Sequence, residues 1–216
     1  MKRVSRGRCL ACSQDFPVTL MSRHLQTCES ISREGANHAK TFLIKVSANI
    51  PYYWLFIEID SSSTLERLDA YLRSIWLECC GHLSCFTIGD KEYHSNTHSP
   101  FGERLNGMKV ALDRLLSVGM SFNYEYDFGT TTALTLKVIS SRPGRVKNTI
   151  HLLARNNAPT FKCRSCGSDA TDVCSECYWE GDCTFCNKCL KKHKCGEEMA
   201  LPVVNSPRMG LCAYVG

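Results

Sequence analysis

Long hydrophobic runs are missing from this sequence. Its longest apolar stretch, residues 50–59, is interrupted by Glu58 and falls well short of the ~20 residues a membrane span needs. No apolar segment follows the basic opening MKRVSRGRCLACSQDF, so the sequence predicts no secretory leader, no membrane partner and a soluble, cytoplasmic chain. It has no internal repeat and no low-complexity tract. Gly-x-Ser-x-Gly, a phosphate-binding glycine-rich loop and His-Glu-x-x-His are all absent, which removes the common hydrolase, nucleotide-binding and metalloprotease signatures. Nor is there a strong excess of one charge: 26 basic residues face 21 acidic ones, for a formal +5. An apolar fraction of 44% and a charged fraction of 22% are ordinary for a globular protein. At ~150 residues per domain, 216 residues make one to two domains.

What the sequence does hold is cysteine, 15 residues in all. An odd number cannot all pair within one chain, and a reducing compartment favours metal binding or free thiols over disulfides. Three cysteines lie between positions 9 and 28, three between 79 and 85, and nine between 163 and 212. Clusters at both ends of a cysteine-poor middle divide the chain into five segments: a first cluster at 1–30, a polar linker at 31–40 with Gly35, a domain at 41–142, a connector at 143–162 and a second cluster at 163–216. Charge follows the same division, with +4 in residues 1–40, zero in 41–150 and +1 in 151–216. Lys2, Arg3, Arg6 and Arg8 make the N-terminal tail the one locally basic stretch.

The middle segment alternates strand and helix signals. Residues 41–49 and 52–60 read as strands separated by Pro51. Ser63 and Thr64 open a helix whose stripe is Leu65, Leu68, Leu72, Ile75 and Trp76, ending near Cys80-Gly81. Residues 82–88 read as a strand, Gly89-Asp90 as a hairpin turn into 91–93, 110–118 as a short helix stopped by Gly119, and 121–127 and 132–140 as two more strands. The order β-β-α-β-β-α-β-β predicts an α+β fold: a mostly antiparallel sheet with helices on one face, flanked at both termini by small zinc-stabilised modules. Residues 143–162 carry turn signals at Pro143-Gly144 and at Asn156-Asn157-Ala158-Pro159, and their structure is left open.

Cys9-x2-Cys12-x11-His24-x3-Cys28 has zinc-finger spacing. The first pair fits a tight turn. His24 and Cys28 are four apart and would share one face of a helix. So short a unit has only Phe16, Leu20 and Leu25 to bury, so metal would have to supply its folding energy. The cluster resembles the ubiquitin-binding zinc fingers of DNA-repair proteins, down to its ending His24-Leu25-Gln26-Thr27-Cys28. Those fingers carry Asp two residues after the His; this chain has Gln26. The resemblance therefore implies the finger fold and leaves the ubiquitin contact open. Ser22, Arg23 and Gln26 form the helix face that a related DNA-binding finger would use, and a structural cap is an equal alternative to a recognition module.

At the other end, Cys163-x2-Cys166-x7-Cys174-x2-Cys177-x8-Cys186-x2-Cys189-x3-His193-x-Cys195 supplies eight ligands in four close pairs. Two ions in so short a stretch favour a cross-brace. Cys163, Cys166, Cys186 and Cys189 would hold one ion; Cys174, Cys177, His193 and Cys195 would hold the other. Two alternatives stay open: Cys183 with Cys186 as the third pair, and Cys212 in place of His193 or Cys195. Four protein ligands leave no open position, so such sites are structural. Three zinc ions with ten thiolates bring the formal charge to about +1, which does not predict a strong nucleic-acid binder. The spacing resembles the HIT and MYND double-zinc modules and, more loosely, B-boxes. That resemblance implies protein interaction.

The middle domain carries Phe42-Leu43-Ile44-Lys45-Val46, Pro51-x2-Trp54, Thr64-Leu65, His82-Leu83-Ser84-Cys85-Phe86, Tyr93 and, most specifically, Tyr124-Glu125-Tyr126-Asp127-Phe128-Gly129. With these residues it resembles the plasmid pRiA4b ORF-3-like family, also described as an insertion-element passenger (TnpR-like) family. The resemblance implies an α+β fold and no defined activity. The family continues after the last of these motifs with acidic residues, Trp and His, where this chain has Thr130-Thr131-Thr132-Ala133-Leu134. Glu125 and Asp127 read as a solvated strand face, His94 and His98 as a solvated pair, and Cys79, Cys80 and Cys85 as core thiols. The sequence thus predicts a non-enzymatic zinc protein with a protein partner, a nucleic-acid-associated factor of a plasmid or insertion element being the alternative.

Overall fold

Residues 54–60 are buried at nearly every position, which in an antiparallel sheet requires cover on both faces. The source of that cover decides the architecture. The computed structural model describes residues 4–31, 39–98, 101–146, 149–181 and 183–216. The chain divides into two bodies: Met1–Leu72 with Leu83–Asn157, and Arg73–His82 with Ala158–Gly216. Among the described residues, no helix is long and apolar enough to cross a membrane.

Among the described residues, the first body is built on nine strands. These are β1 (Arg6–Cys9), β2 (Asp15–Pro17), β3 (Lys40–Ala48), β4 (Trp54–Asp60), β5 (Ser84–Ile88), β6 (Lys91–His94), β7 (Ser121–Tyr126), β8 (Thr132–Pro143) and β9 (Ile150–Asn156). The sheet order is β2-β1-β9-β4-β3-β8-β7-β5-β6, with every neighbouring pair antiparallel. Its helices are α1 (Val18–Thr27) and α2 (Leu65–Leu72). An α+β fold dominated by an antiparallel sheet is therefore present.

Three sequence expectations differ from this fold. First, the expected connector holds β9, a strand lying between β1 and β4. Both its partners are distant in sequence, so no local hairpin signal announces it. Second, residues 110–118 form only a 3-10 turn at Leu112–Arg114. Their backbone groups are bonded elsewhere: the Leu65 amide donates to the Val110 carbonyl, and the Leu112 and Asp113 amides donate to Ser63 and Ser61. A helix would need the Val110 carbonyl for the Arg114 amide, which donates instead to Ala111. Third, the first cysteine cluster does not stand apart. Its strand β1 pairs with β9, and residues 32–38 of the expected linker lie outside the described residues.

That third point accounts for the buried β4. Met21, Leu25 and Ile31 pack with Leu43, Trp54, Phe56 and Leu153 in one cluster. The intervening Leu55, Ile57 and Ile59 point to the opposite face and are fully buried as well. Register shifts at Leu43/Ile44 and Phe56/Ile57 each place one extra residue in the facing strand. Those residues are Ile139 and Leu153, and both turn into the cluster under α1. The finger segment thus caps one sheet face through apolar contacts, without a separate core of its own.

Glu58 is a buried charge in this sheet. Glu58 on β4 accepts from the Thr41 hydroxyl at 2.7 Å and from Nε and Nη2 of Arg142 on β8. Replacing Arg142 by alanine strands this carboxylate, at an expected cost of about 3 kcal/mol, the low end for broken buried pairs because Arg142 is partly wet. Urea unfolding of R142A would measure it. An unchanged midpoint would show that the pair contributes nothing.

The second body has three short antiparallel strands, β10 (Asp172–Cys174), β11 (Thr184–Phe185) and β12 (Ala200–Pro202), in the order β11-β10-β12. A four-residue helix α3 (Asn187–Leu190) follows β11. The segment 73–82 belongs here too, as a π-helical turn at Arg73–Leu77 followed by Glu78 to His82. The helical stretch expected to run to Cys80-Gly81 thus ends at Leu77.

Candidate metal centres

Tight turns build the first halves of two centres in the same way. In Cys9-x2-Cys12 the Ser13 amide donates to the Cys9 carbonyl at 2.8 Å, and Ser13 has φ +60°. In Cys163-x2-Cys166 the Gly167 amide donates to the Cys163 carbonyl at 2.9 Å, and Gly167 has φ +73°. A left-handed residue after the second cysteine folds the chain back, so both sulfurs face one point. Helix starts or ends supply the other halves. His24 lies in the last turn of α1 and Cys28 caps it; Cys186 caps α3 and Cys189 lies within it.

The structure brings Cys9, Cys12, His24 and Cys28 together, Cys163, Cys166, Cys186 and Cys189 together, and Cys174, Cys177, His193 and Cys195 together. Within each group the ligand atoms all lie within 4.8 Å of one another. Cys12 Sγ is 3.4 Å from His24 Nε2, and Cys177 Sγ is 3.4 Å from His193 Nε2. Each of these histidines rests on a phenylalanine. Phe16 stacks on His24 at 3.9 Å, and Phe185 lies 4.3 Å from His193. The rings hold the imidazoles in place, and burial lowers the pKa of His24, favouring the neutral ligand form.

The thiols in these groups have opposed tendencies. Hydrogen bonding from the backbone of Cys186, Cys166 and Ser165 brings the Cys163 thiol down to about 6. Its neighbour Cys189 is pushed up to about 12 by hydrogen bonding and charge from Cys166, Cys186 and Cys163. Burial, with Cys195 and Cys174 alongside, pushes Cys177 up to about 12. Sulfurs this crowded resist ionising together unless a cation is among them. Soft thiolate and imidazole donors in fours suit a tetrahedral ion.

The alternative ligands go elsewhere. Cys183 accepts the Cys174 amide through its carbonyl at 2.8 Å and packs against the cysteine cluster without joining either group of four. Cys212 does not approach His193 or Cys195. It meets Cys79, Cys80 and His82. Cys79 and Cys80 are therefore not core thiols: the first is half-buried and the second exposed. Cys85 is buried, its thiol pushed up to about 11 by burial and by the Glu92 charge, with His94 Nε2 at 3.8 Å. His94 bonds Glu92 at 3.1 Å, while His98 contacts Thr97, so the two histidines are not a pair. Glu125 and Asp127 do not share a face either. Glu125 is exposed, whereas Asp127, buried at φ +64°, accepts the Gly129 and Thr130 amides and shapes the turn between β7 and β8.

A model of the plasmid pRiA4b ORF-3-like protein family matches residues 39–167. The chain belongs to this family. The match extends past the expected limit at 142 to take in β9 and the first ligand pair of the second body. The ORF-3-like chain is also similar to a solved structure, a protein of unknown function from Methanosarcina mazei Go1. Identity is 18% and the TM-score 0.44, over 54% of this chain and 67% of that one. No curated protein matches. In this ORF-3-like protein β1, β2 and α1 lie before the matched residues, and most of the second body lies after them.

Proposed function

We propose that this ORF-3-like protein is a zinc-binding, non-enzymatic adaptor that recognises an acidic protein segment. The three predicted groups each present four protein ligands, the closed arrangement of a structural ion rather than the open one of a catalytic ion. The observation that carries the partner assignment is a cavity of about 410 Å³ in the second body. Phe185 and His193 line it, and Arg164, Lys192 and Lys194 bring three positive charges to a rim that also holds Glu180 and the ligand thiol of Cys189. The chain beside Glu180 exposes Trp179, 76% accessible, as an apolar contact. Cationic and apolar groups of this kind suit aspartate- or glutamate-rich peptides. The basic N-terminus offers less to a polyanion than its sequence promised. Arg8 pairs with Asp15, Arg6 donates to the Asp15 carbonyl, and Lys2 and Arg3 lie outside the described residues.

The test is fluorescence anisotropy of the zinc-loaded full chain with an acidic peptide and, separately, with single-stranded DNA of equal charge. Peptide binding is expected to weaken at least about tenfold in K192E/K194E with zinc content unchanged, equivalent to ~1.4 kcal/mol. Preference for DNA with a steep salt slope would overturn the adaptor reading in favour of nucleic-acid association.

A further inference from the structure

We propose that Cys79, Cys80, His82 and Cys212 form a fourth zinc site, which clasps the segment 73–82 to the C-terminal tail within the second body. Cys80 Sγ lies 3.0 Å from His82 Nε2 and 3.4 Å from Cys212 Sγ, and His82 Nε2 lies 3.2 Å from Cys212 Sγ. Cys79 Sγ is 3.8 Å from that of Cys80, and the four ligand atoms are mutually within 4.8 Å. The donors are three thiolates and an imidazole, the same set as in the finger. The Cys80–Cys212 separation is far beyond a covalent S–S bond, and none of the three cysteines is in a disulfide.

Both chain segments are shaped for this meeting. Gly81, at φ +77°, turns the chain so that Cys80 and His82 face one point, and its amide is tied to the Glu78 carboxylate at 2.6 Å. On the tail, Cys212 and Ala213 both adopt left-handed conformations, at φ +47° and +54°. Non-glycine residues rarely do so in succession, and a bond from Cys212 to an ion would hold them there. A second anchor fixes the same two segments: the Ser206 hydroxyl donates to the Trp76 carbonyl at 2.6 Å.

Three thiolates around a divalent ion leave a net charge of about −1. Arg208 is fully buried, and its Nη2 lies 3.6 Å from Cys79 Sγ, which places a cation beside one of these thiolates. Four protein ligands close the site, so the ion is structural. Cys80 and Cys212 are exposed, unlike the deeply buried Cys9 and Cys174 of the other groups.

Native mass spectrometry of the zinc-loaded full chain decides this. The expected counts are four zinc ions in the parent protein and three in C212S. H82A, altered at a different ligand, should also hold three and guards against misfolding of one variant. In the cobalt-substituted chain, C212S should lose about a quarter of the thiolate-to-metal absorption, because three of thirteen thiolates serve this site. Iodoacetamide should label Cys80 and Cys212 only after chelation. Equal zinc counts in parent and C212S would overturn the site, as would a Cys80–Cys212 disulfide in the purified protein or immediate labelling of both thiols before chelation. Failure of the other three sites is separately readable, because it would lower the parent count while leaving the C212S difference intact.

Discussion

Stripping zinc from the loaded protein with a strong chelator is expected to unfold residues 158–200 while the nine-stranded sheet persists. One buried cluster of the second body consists of Cys163, Cys174, Cys177, Phe185 and Leu190, with Cys183, Cys186, Cys189, Cys195, Met199 and Ala200 packed on it. Most of these residues are the ligands themselves, so this cluster keeps little apolar packing once the ions leave. The strands are two or three residues long, too short to sustain a sheet alone. A structural zinc contributes about 10–16 kcal/mol to folding in isolated fingers, as much as the ~5–15 kcal/mol total stability of a whole domain. The first body has aliphatic and aromatic cores on both faces of β4 and does not depend on metal in this way. Hydrogen exchange with mass spectrometry separates the two. After chelation, the amides of Cys163, Gly167 and Cys174, bonded to Ser168, Cys163 and Cys183, should exchange within the labelling time. Those of β3, β4 and β8 should stay protected. Undiminished protection between residues 160 and 200 would show that the second body folds on side-chain packing instead.

The second large effect lies at Trp54. Its ring is buried, meets Phe56 edge-on at 5.7 Å and donates its indole N–H to Ser5 at 2.9 Å. It also lies directly over Gly7 of β1, where an added Cβ would come within 2.5 Å of the ring and 2.2 Å of the Arg155 carbonyl. Trp54 thus joins the finger segment to the sheet, and Gly7 is the residue small enough to let it. Trp54→Ala is expected to cost about 3–5 kcal/mol, as buried aromatic truncations do. At ~2–4 °C per kcal/mol for a chain of this size, calorimetry should show the first body melting on the order of 10 °C lower. Gly7→Ala should destabilise the same contact from the other side by about 1–3 kcal/mol through overpacking. A W54A protein melting within about 2 °C of the parent would mean that the finger and the sheet do not share a core.

The α+β character and the close ligand pairs were legible because both depend on short-range patterns. Cys-x2-Cys needs one turn, and His24 and Cys28 need one turn of helix; apolar alternation along 121–126 marks a strand wherever that strand finally pairs. The helix expected at 110–118 gave way to a 3-10 turn because its first acceptor, the Val110 carbonyl, is taken by the Leu65 amide, a competition that no local periodicity records. β9 has no local signature for the same reason, since its register is set by β1 and β4 rather than by a neighbouring hairpin.

By itself, the sequence determined the chemistry of this protein: which thiols and imidazoles sit close enough along the chain to act in pairs, and that the middle segment forms an antiparallel sheet. Tertiary structure alone decided that the finger segment is part of that sheet. It alone brought Cys212 to Cys80, 132 positions away, rather than to His193. The physical reason is range. Spacing along a chain constrains geometry over a turn or two, whereas contacts across a hundred residues are chosen by the packing and charge of everything between them, here Ser206 on Trp76 and a buried Arg208 beside Cys79.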